Sequence, residues 1–467
     1  MRAHRIAAVL LLLAGCGEKG PPAGKTTAPT GDAGAAGGTP TAAKAGAAVT
    51  AAWSWGDTPK GEHGPRMRDP NEPLPTGPAF IAAGKGKLVV ATQDNCLELL
   101  DGKTGKQVVP HQCEKDAWAL GLAVLGDVAI LARQKSVHAF SLDDLHQVWK
   151  RETGFIQNYP LARPGAVDGR FCLVATVPNA GTAMSCLDPA TGKPGKPWSI
   201  PANSRVAFGE RRIGIIPSAA PPPAQQQAPP GGIELPVEFF SVDGKKVATS
   251  KLTGSYGPTF ERTRPIFVAR GGGNQKDGWI TRFVDPDGRE ILTVQGKEML
   301  RGGALVGSGV LTTEFLSVPQ KDSAVLLRAP AGAAAWRTDL GVSGPWDPFA
   351  AAVGKTAFLA HSSKLFALDP ATGAIARTYD LASEHHAVWQ DKILFLVSSR
   401  ESRSDSDFGD AAVYAVEAAS LEVVLEDELG KDVPGGQQAS DPIFDGDMAY
   451  AIAGARVHAY RITAAPP

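Results

Sequence analysis

The sequence predicts an all-β fold, a β-propeller of four-stranded blades. Three observations predict it: a short unit recurs along most of the chain, its copies start about 40 to 54 residues apart, and helical periodicity is almost absent. The unit is a hydrophobic strand, an Asp, a short turn ending in Gly, and a further strand that often carries Trp. Two copies share the whole string Leu-Asp-Pro-Ala-Thr-Gly, at 187–192 and 368–373, and Leu-Leu-Asp-Gly-Lys-Thr-Gly at 99–105 is a third close copy. Weaker copies lie around Asp143, Asp243, Asp285, residues 325–332, Glu417 and the string Val457-His458-Ala459-Tyr460. The spacing matches a four-stranded blade and, with a 3.6-residue pattern almost absent, favours an all-β reading over a helical solenoid of similar period.

Each part of the unit has a physical reason. An Asp side chain accepts hydrogen bonds from backbone donors just ahead of it, while the closing Gly takes a positive φ. Asp101 with Gly105, Asp188 with Gly192 and Asp369 with Gly373 are therefore expected to build structural hairpin turns. Strands such as 87–92, 128–132, 357–360 and 393–397 precede the copies, and strands bearing Trp149, Trp198 and Trp336 follow them. Nine candidate copies can be placed, and the last has no room for its outer strand before Pro467. The aromatic island at 49–56, with Trp53 and Trp55, is expected to supply it, closing the ring and removing both open sheet edges. We expect eight blades within 79–463, with seven or nine if a degenerate copy is misassigned.

The N-terminus reads differently. Arg2 and Arg5 precede an apolar run, Ile6 to Leu13, and a small-residue site, Leu-Ala-Gly-Cys, ends at Cys16. That run is too short to span a bilayer and reads as a secretory signal over 1–15. The site resembles the bacterial lipobox, which implies that Cys16 is lipidated and becomes the mature N-terminus, and that, with Gly17 following, the anchor is in the outer membrane. Residues 16–48 then form a tether too poor in apolar groups to fold. The propeller occupies 49–467, with the closing strand at 49–56, a linker at 57–78 and the blades at 79–463.

With Cys16 used by lipid, four of the five cysteines remain, an even number suited to an oxidising compartment. Cys96 and Cys113 flank one turn and Cys172 and Cys186 another, so each pair is expected to bridge neighbouring antiparallel strands.

The motif aliphatic-aromatic-Ala-Leu-Asp-x-x-Thr-Gly followed by a Trp-bearing strand resembles the pyrroloquinoline-quinone-like repeat of β-propellers. The whole plan is similar to the propeller lipoprotein of the outer-membrane β-barrel assembly machinery, which implies a scaffold that binds an envelope protein. The long tether and the Pro/Gln-rich insertion at 217–232 depart from that plan.

No nucleophile elbow, P-loop, His-Glu-x-x-His or Cys-x-x-Cys occurs. His385 and His386, beside Glu384 in an expected loop, are too few to hold zinc, and the groups Asp405, Asp407, Asp410 and Asp441, Asp445, Asp447 lack a full calcium series. No cofactor or metal is expected. A formal charge of -1 excludes the electrostatic footprint of a nucleic-acid binder. The expected protein is thus not an enzyme but a monomeric scaffold, held to the membrane by its lipid, facing the periplasm or the cell surface and binding an unidentified envelope protein. Arg270, Arg400 and Arg403 are candidate contact charges in exposed loops, and 402–410 forms a second insertion. The alternatives are a quinone-dependent dehydrogenase and a ligand- or polysaccharide-binding propeller.

Overall fold

The computed structural model describes residues 47–56 and 77–463, apart from 115–117, 157–162, 178–180, 202–203, 218–232, 255, 264–265, 273–277, 286, 318–319, 343–348, 362–363, 382–384, 400–410, 430–438 and 454–455. Cys16, the signal, residues 17–46 of the tether, most of the 57–78 linker, both insertions but for Pro217, Arg400 and Arg403 lie outside the described residues. Ala47 and Ala48, counted to the tether, belong instead to the folded part, and Arg270 stands in the strand Ile266–Gly272 and not in a loop, with its side chain outside the described residues.

Among the described residues every element is a strand, and the strands form nine antiparallel sheets. The third strands are Cys96–Asp101, Ser136–Ser141, Gly181–Leu187, Ile233–Phe240, Trp279–Val284, Gln320–Arg328, Lys364–Leu368, Ala411–Glu417 and Arg456–Thr463. Each is one repeat copy, and we number blades 1 to 9 after them. The ring therefore has nine blades, one of the counts allowed from sequence but not the preferred eight: the degenerate copies vary in their turns but keep the apolar strand that a blade must bury. Blade 3 is the one sheet with a divided first strand, Phe155–Ile156 and Gly165–Val167, both paired with Arg170–Val177.

The first strands line the inside, because those of neighbouring blades touch from blade 1 through to blade 7, and Pro78–Gly84 of blade 1 touches Ile443–Asp445 of blade 9. Second and third strands are buried on both faces, as in Val128–Arg133 and Ser136–Ser141. This is why they read as continuous apolar runs instead of alternating ones. Fourth strands such as Gln147–Glu152 are largely exposed.

The core is divided among the interfaces between blades. Nine apolar clusters are present among the described residues, one for each pair of neighbouring blades. The cluster joining blade 9 to blade 1 unites Tyr450, Ile452 and Val457 with Leu88, Val90 and Leu100, and Trp53 and Trp55 pack against it. The fourth strand of blade 9 is Ala48–Trp55, which pairs with Arg456–Thr463 from Ala48↔Thr463 to Trp55↔Val457. The N-terminal strand closes the ring as expected.

Candidate interaction face

The topology gives the ring two unlike ends. The turns joining first to second and third to fourth strands lie at one end and are tight. The remaining connections open at the other end, where the intervals Trp55 to Pro78, Ile216 to Ile233, Ser399 to Ala411 and Glu428 to Ile443 are the longest. Loops of that length on a rigid frame are where binding residues concentrate.

The repeat-turn residues sit at the tight end. Asp188 Oδ1 accepts the Thr191 N–H at 2.9 Å and the Thr191 hydroxyl at 2.8 Å, and Gly192 N–H donates to the Asp188 carbonyl at 2.9 Å. Asp101 does the same with Thr104 and Gly105, and Asp369 accepts from Ala371 and, through its carbonyl, from Gly373. These bonds, led by that of the Thr hydroxyl, hold Asp101 and Asp188 below the usual carboxylate range. Their side chains are spent on the turns.

The Trp-bearing strands explain why the turn ends in Gly. Trp149 of blade 2 donates its indole N–H to Pro189 O in the turn of blade 3 at 2.8 Å, and its ring covers Gly192. Trp336 reaches Pro370 O of the next blade at 2.9 Å, over Gly373, and Trp53 reaches Gly102 O of blade 1 at 3.1 Å, over Gly105. A Cβ on any of these glycines would lie 2.5 to 2.7 Å from indole carbon. Where Trp is lacking, other donors serve: Gln112 to Leu145 O at 2.8 Å, and Tyr379 and Arg377 to Leu421 O, each at 2.7 Å.

Beneath the long-loop end lies a polar layer that sequence reasoning did not find. The sixth residue of the second strand is a buried polar one in five blades: Thr92, Arg133, Glu314, His361 and Ser398. Aligning the repeat copies by their second strands would have revealed it. Arg133 Nε lies 3.1 Å from Glu114 Oε2, and Arg337 grips Glu314 through two bonds of 2.5 and 2.9 Å. His361 Nε2 is 2.5 Å from Asp322 Oδ2, across the interface of blades 6 and 7. Burial pushes the His361 imidazole below its ordinary range against the pull of that carboxylate. His138 of blade 2 is likewise pushed down by burial, between Ser136 Oγ at 2.8 Å and Gln147 Oε1 at 3.1 Å.

The four cysteines meet as expected. Cys96 is bonded to Cys113 and Cys172 to Cys186, each pair facing directly across two strands. His385 and His386 stand in the strand His385–Trp389, not in a loop, and go to separate partners: His385 Nδ1 is 3.2 Å from Asp441 Oδ1, and His386 stacks on Phe349 with centroids 3.8 Å apart. Asp441 and Asp445 lie at opposite ends of blade 9, and Asp445 accepts the Gly86 N–H at 2.6 Å. Among the described residues no group of three or more His, Cys, Asp or Glu side chains is arranged to hold a metal ion.

Residues 320–464, from the third strand of blade 6 to the end of blade 9, match the family model of outer membrane protein assembly factor BamB. The chain is a propeller of PQQ-like repeats similar to BamB. Solved structures extend the likeness of fold. The crystal structure of a eukaryotic initiation factor aligns with a TM-score of 0.51 at 10% identity, covering 83% of this chain and 97% of that one. BamB from Moraxella catarrhalis aligns at 0.37 and 11%, over 82% and 84%, and the quinohemoprotein alcohol dehydrogenase of Comamonas testosteroni at 0.45 and 11%, over 88% and 76%. No curated protein matches the sequence.

Proposed function

We propose that this chain is a non-catalytic, lipid-anchored scaffold of the bacterial cell envelope that binds a partner protein through the long-loop end of its propeller. One observation carries the reading: the longest intervals between strands are gathered at one end of a closed ring, while turns at the other end are bonded to side chains of the neighbouring blade, as by Trp53, Trp149 and Trp336. Such a frame offers a broad rigid surface without a mobile edge. Each of the buried groups Arg133, Glu314 and His361 at the long-loop end faces a partner, Glu114, Arg337 and Asp322 in turn, which is the arrangement of structural ties. Two disulfides suit an exported protein, the lipobox-like site at Cys16 supplies the anchor, and BamB, by its description, is an outer membrane assembly factor. On this reading the chain works at the outer membrane as a monomer, with no cofactor.

The test is crosslinking in intact cells followed by purification of the chain. A reproducible envelope protein, lost when loop charges at the long-loop end are reversed, is the expected result. Stoichiometric uptake of pyrroloquinoline quinone with calcium, together with dye-linked oxidation of alcohols or sugars, would replace the scaffold by an enzyme.

A further inference from the structure

The two disulfides among the described residues differ in what they join and in how deeply they lie. Cys172 and Cys186 link the second and third strands of blade 3, are both 0% exposed, and belong to one apolar cluster with Met184, Ile213 and Phe240. Cys96–Cys113 instead ties the third strand of blade 1 to its outermost strand, Gln112–Cys113, both of whose residues are exposed. That strand has two residues, whereas blade 2 fills the same place with Gln147–Glu152, paired from Ser136↔Glu152 to Phe140↔Gln147. Its side chains nevertheless reach across to blade 2. Gln112 donates to Leu145 O at 2.8 Å. Next to Cys113, Glu114 Oε2 lies 3.1 Å from Arg133 Nε and 3.8 Å from His138 Nε2, and its Oε1 lies 3.9 Å from Lys150 Nζ.

We propose that Cys96–Cys113 is a redox-sensitive strap: a dithiol reductant opens it in the folded protein and releases 110–114 from blade 2, while Cys172–Cys186 stays closed. Access decides the selectivity, because exchange requires a thiolate to reach a sulfur of the bridge. At Cys113 that takes local opening of an exposed two-residue strand, held besides the bridge by its pairing with Cys96 and Leu97 and by the Glu114 N–H bond to Asn95 O at 3.2 Å. At Cys172–Cys186 it takes separation of two central strands of a blade, which is close to unfolding the blade. The reductant's thiolate attacks Cys113 Sγ, the S–S bond breaks, and Cys96 leaves as a thiolate that takes up a proton. The reductant's second thiol, deprotonated, then attacks the mixed disulfide, so that the reductant leaves as its own disulfide and Cys113 as a thiol; two electrons have passed to the bridge. The consequence falls on the seam between blades 1 and 2. Gln112 leaves Leu145 O, and the Glu114 carboxylate leaves Arg133, which is only 3% exposed. The apolar cluster beneath, Val89, Leu97 and Leu99 with Ala129, Leu131 and Phe140, includes neither cysteine, so the ring keeps its core while the rim of one seam loosens. The device stands whether or not the long-loop end binds a protein.

Differential alkylation of the purified full chain tests it: incubation with dithiothreitol without denaturant, quenching with N-ethylmaleimide, and peptide mapping of each cysteine. Cys96 and Cys113 should be labelled about tenfold faster, or more, than Cys172 and Cys186. Amide hydrogen exchange measured before and after that selective reduction should rise about tenfold or more over 111–114 and stay unchanged in Arg170–Val177 of blade 3. The double variant Cys96→Ser, Cys113→Ser, without reductant, should exchange like the reduced parent; if it fails to fold, the parent's labelling and exchange decide. Equal labelling rates for the two bridges, earlier labelling of Cys172 and Cys186, or no labelling of any of the four until denaturant is added would each overturn the proposal. So would unchanged exchange over 111–114 after reduction of Cys96–Cys113, since the segment would then be held without the bond.

Discussion

Glycine in the repeat turn carries two constraints, and only one of them is local. Gly192 has φ +65°, and a Cβ there would also lie 2.7 Å from Trp149. Gly126, in the tight turn after Leu125, has φ +64° with open space around it. Gly126→Ala should thus lose only the backbone term, about 1 kcal/mol, whereas Gly192→Ala should lose roughly 2 to 4 kcal/mol by denaturant unfolding. Equal losses would show that the indole contact contributes nothing. The Asp and Gly of this turn were legible in sequence because their bonds close within five residues; the Trp was legible in the repeat as well, but its contact with the Gly, made from another blade, was not. Histidine ionisation belongs to the same scale. Burial holds His458 and His138 below the ordinary histidine range. Below about pH 6.5 the unfolded chain takes up protons that the folded state resists, so the stability present above that pH is lost as pH falls toward the folded values. The melting temperature should decline between about pH 7.5 and 5, and His458→Gln should flatten the decline; an unchanged slope would mean that His458 is not a source of it.

At the scale of the strand, the second and third strands of each blade were the readable ones. They are buried on both faces, so most of their residues are apolar or small, and the run stands out. Fourth strands are half in water, and blade 1 shows the consequence: its outer strand is only Gln112–Cys113, held by the bond to Cys96 and by the Gln112 contact with Leu145 O. The sequence separations of the two disulfides, 17 and 14 residues, correspond to about 3 kcal/mol each on the chain-entropy model. Closure by Ala48–Trp55 makes a sharper prediction. Deleting 17–46 should leave the melting temperature nearly unchanged, whereas deleting 47–56, which takes out the strand from Ala48 and the buried Ala47 before it, should lower it strongly. That deletion uncovers the edge of Arg456–Thr463, removes Trp53 from Gly105 and frees the buried Val49 from its cluster with Tyr460 and Ile462. Equal melting points for the two truncations would place closure elsewhere.

For the whole molecule, the anchor and the ring are separate matters. If Cys16 carries the lipid, Cys16→Ser should release the chain from detergent-extractable membranes into the soluble fraction, or leave it uncleaved, with the propeller still melting as before. Unchanged membrane fractionation would remove the lipid from the account. The sequence by itself determined the fold class, the repeat, the closing strand and both cysteine pairs, because each depends on contacts within one blade or on a pattern that recurs from blade to blade. Only the tertiary structure decided that there are nine blades and not eight, since blade number is settled where blade 9 meets blade 1 and Tyr450 packs on Leu88 and Leu100. It also decided that the longest intervals between strands fall at one end of the ring. The ion pairs of the polar layer, Arg133 with Glu114 and His361 with Asp322, arise from residues brought together across strands and blades, and spacing along the chain carries no record of such meetings.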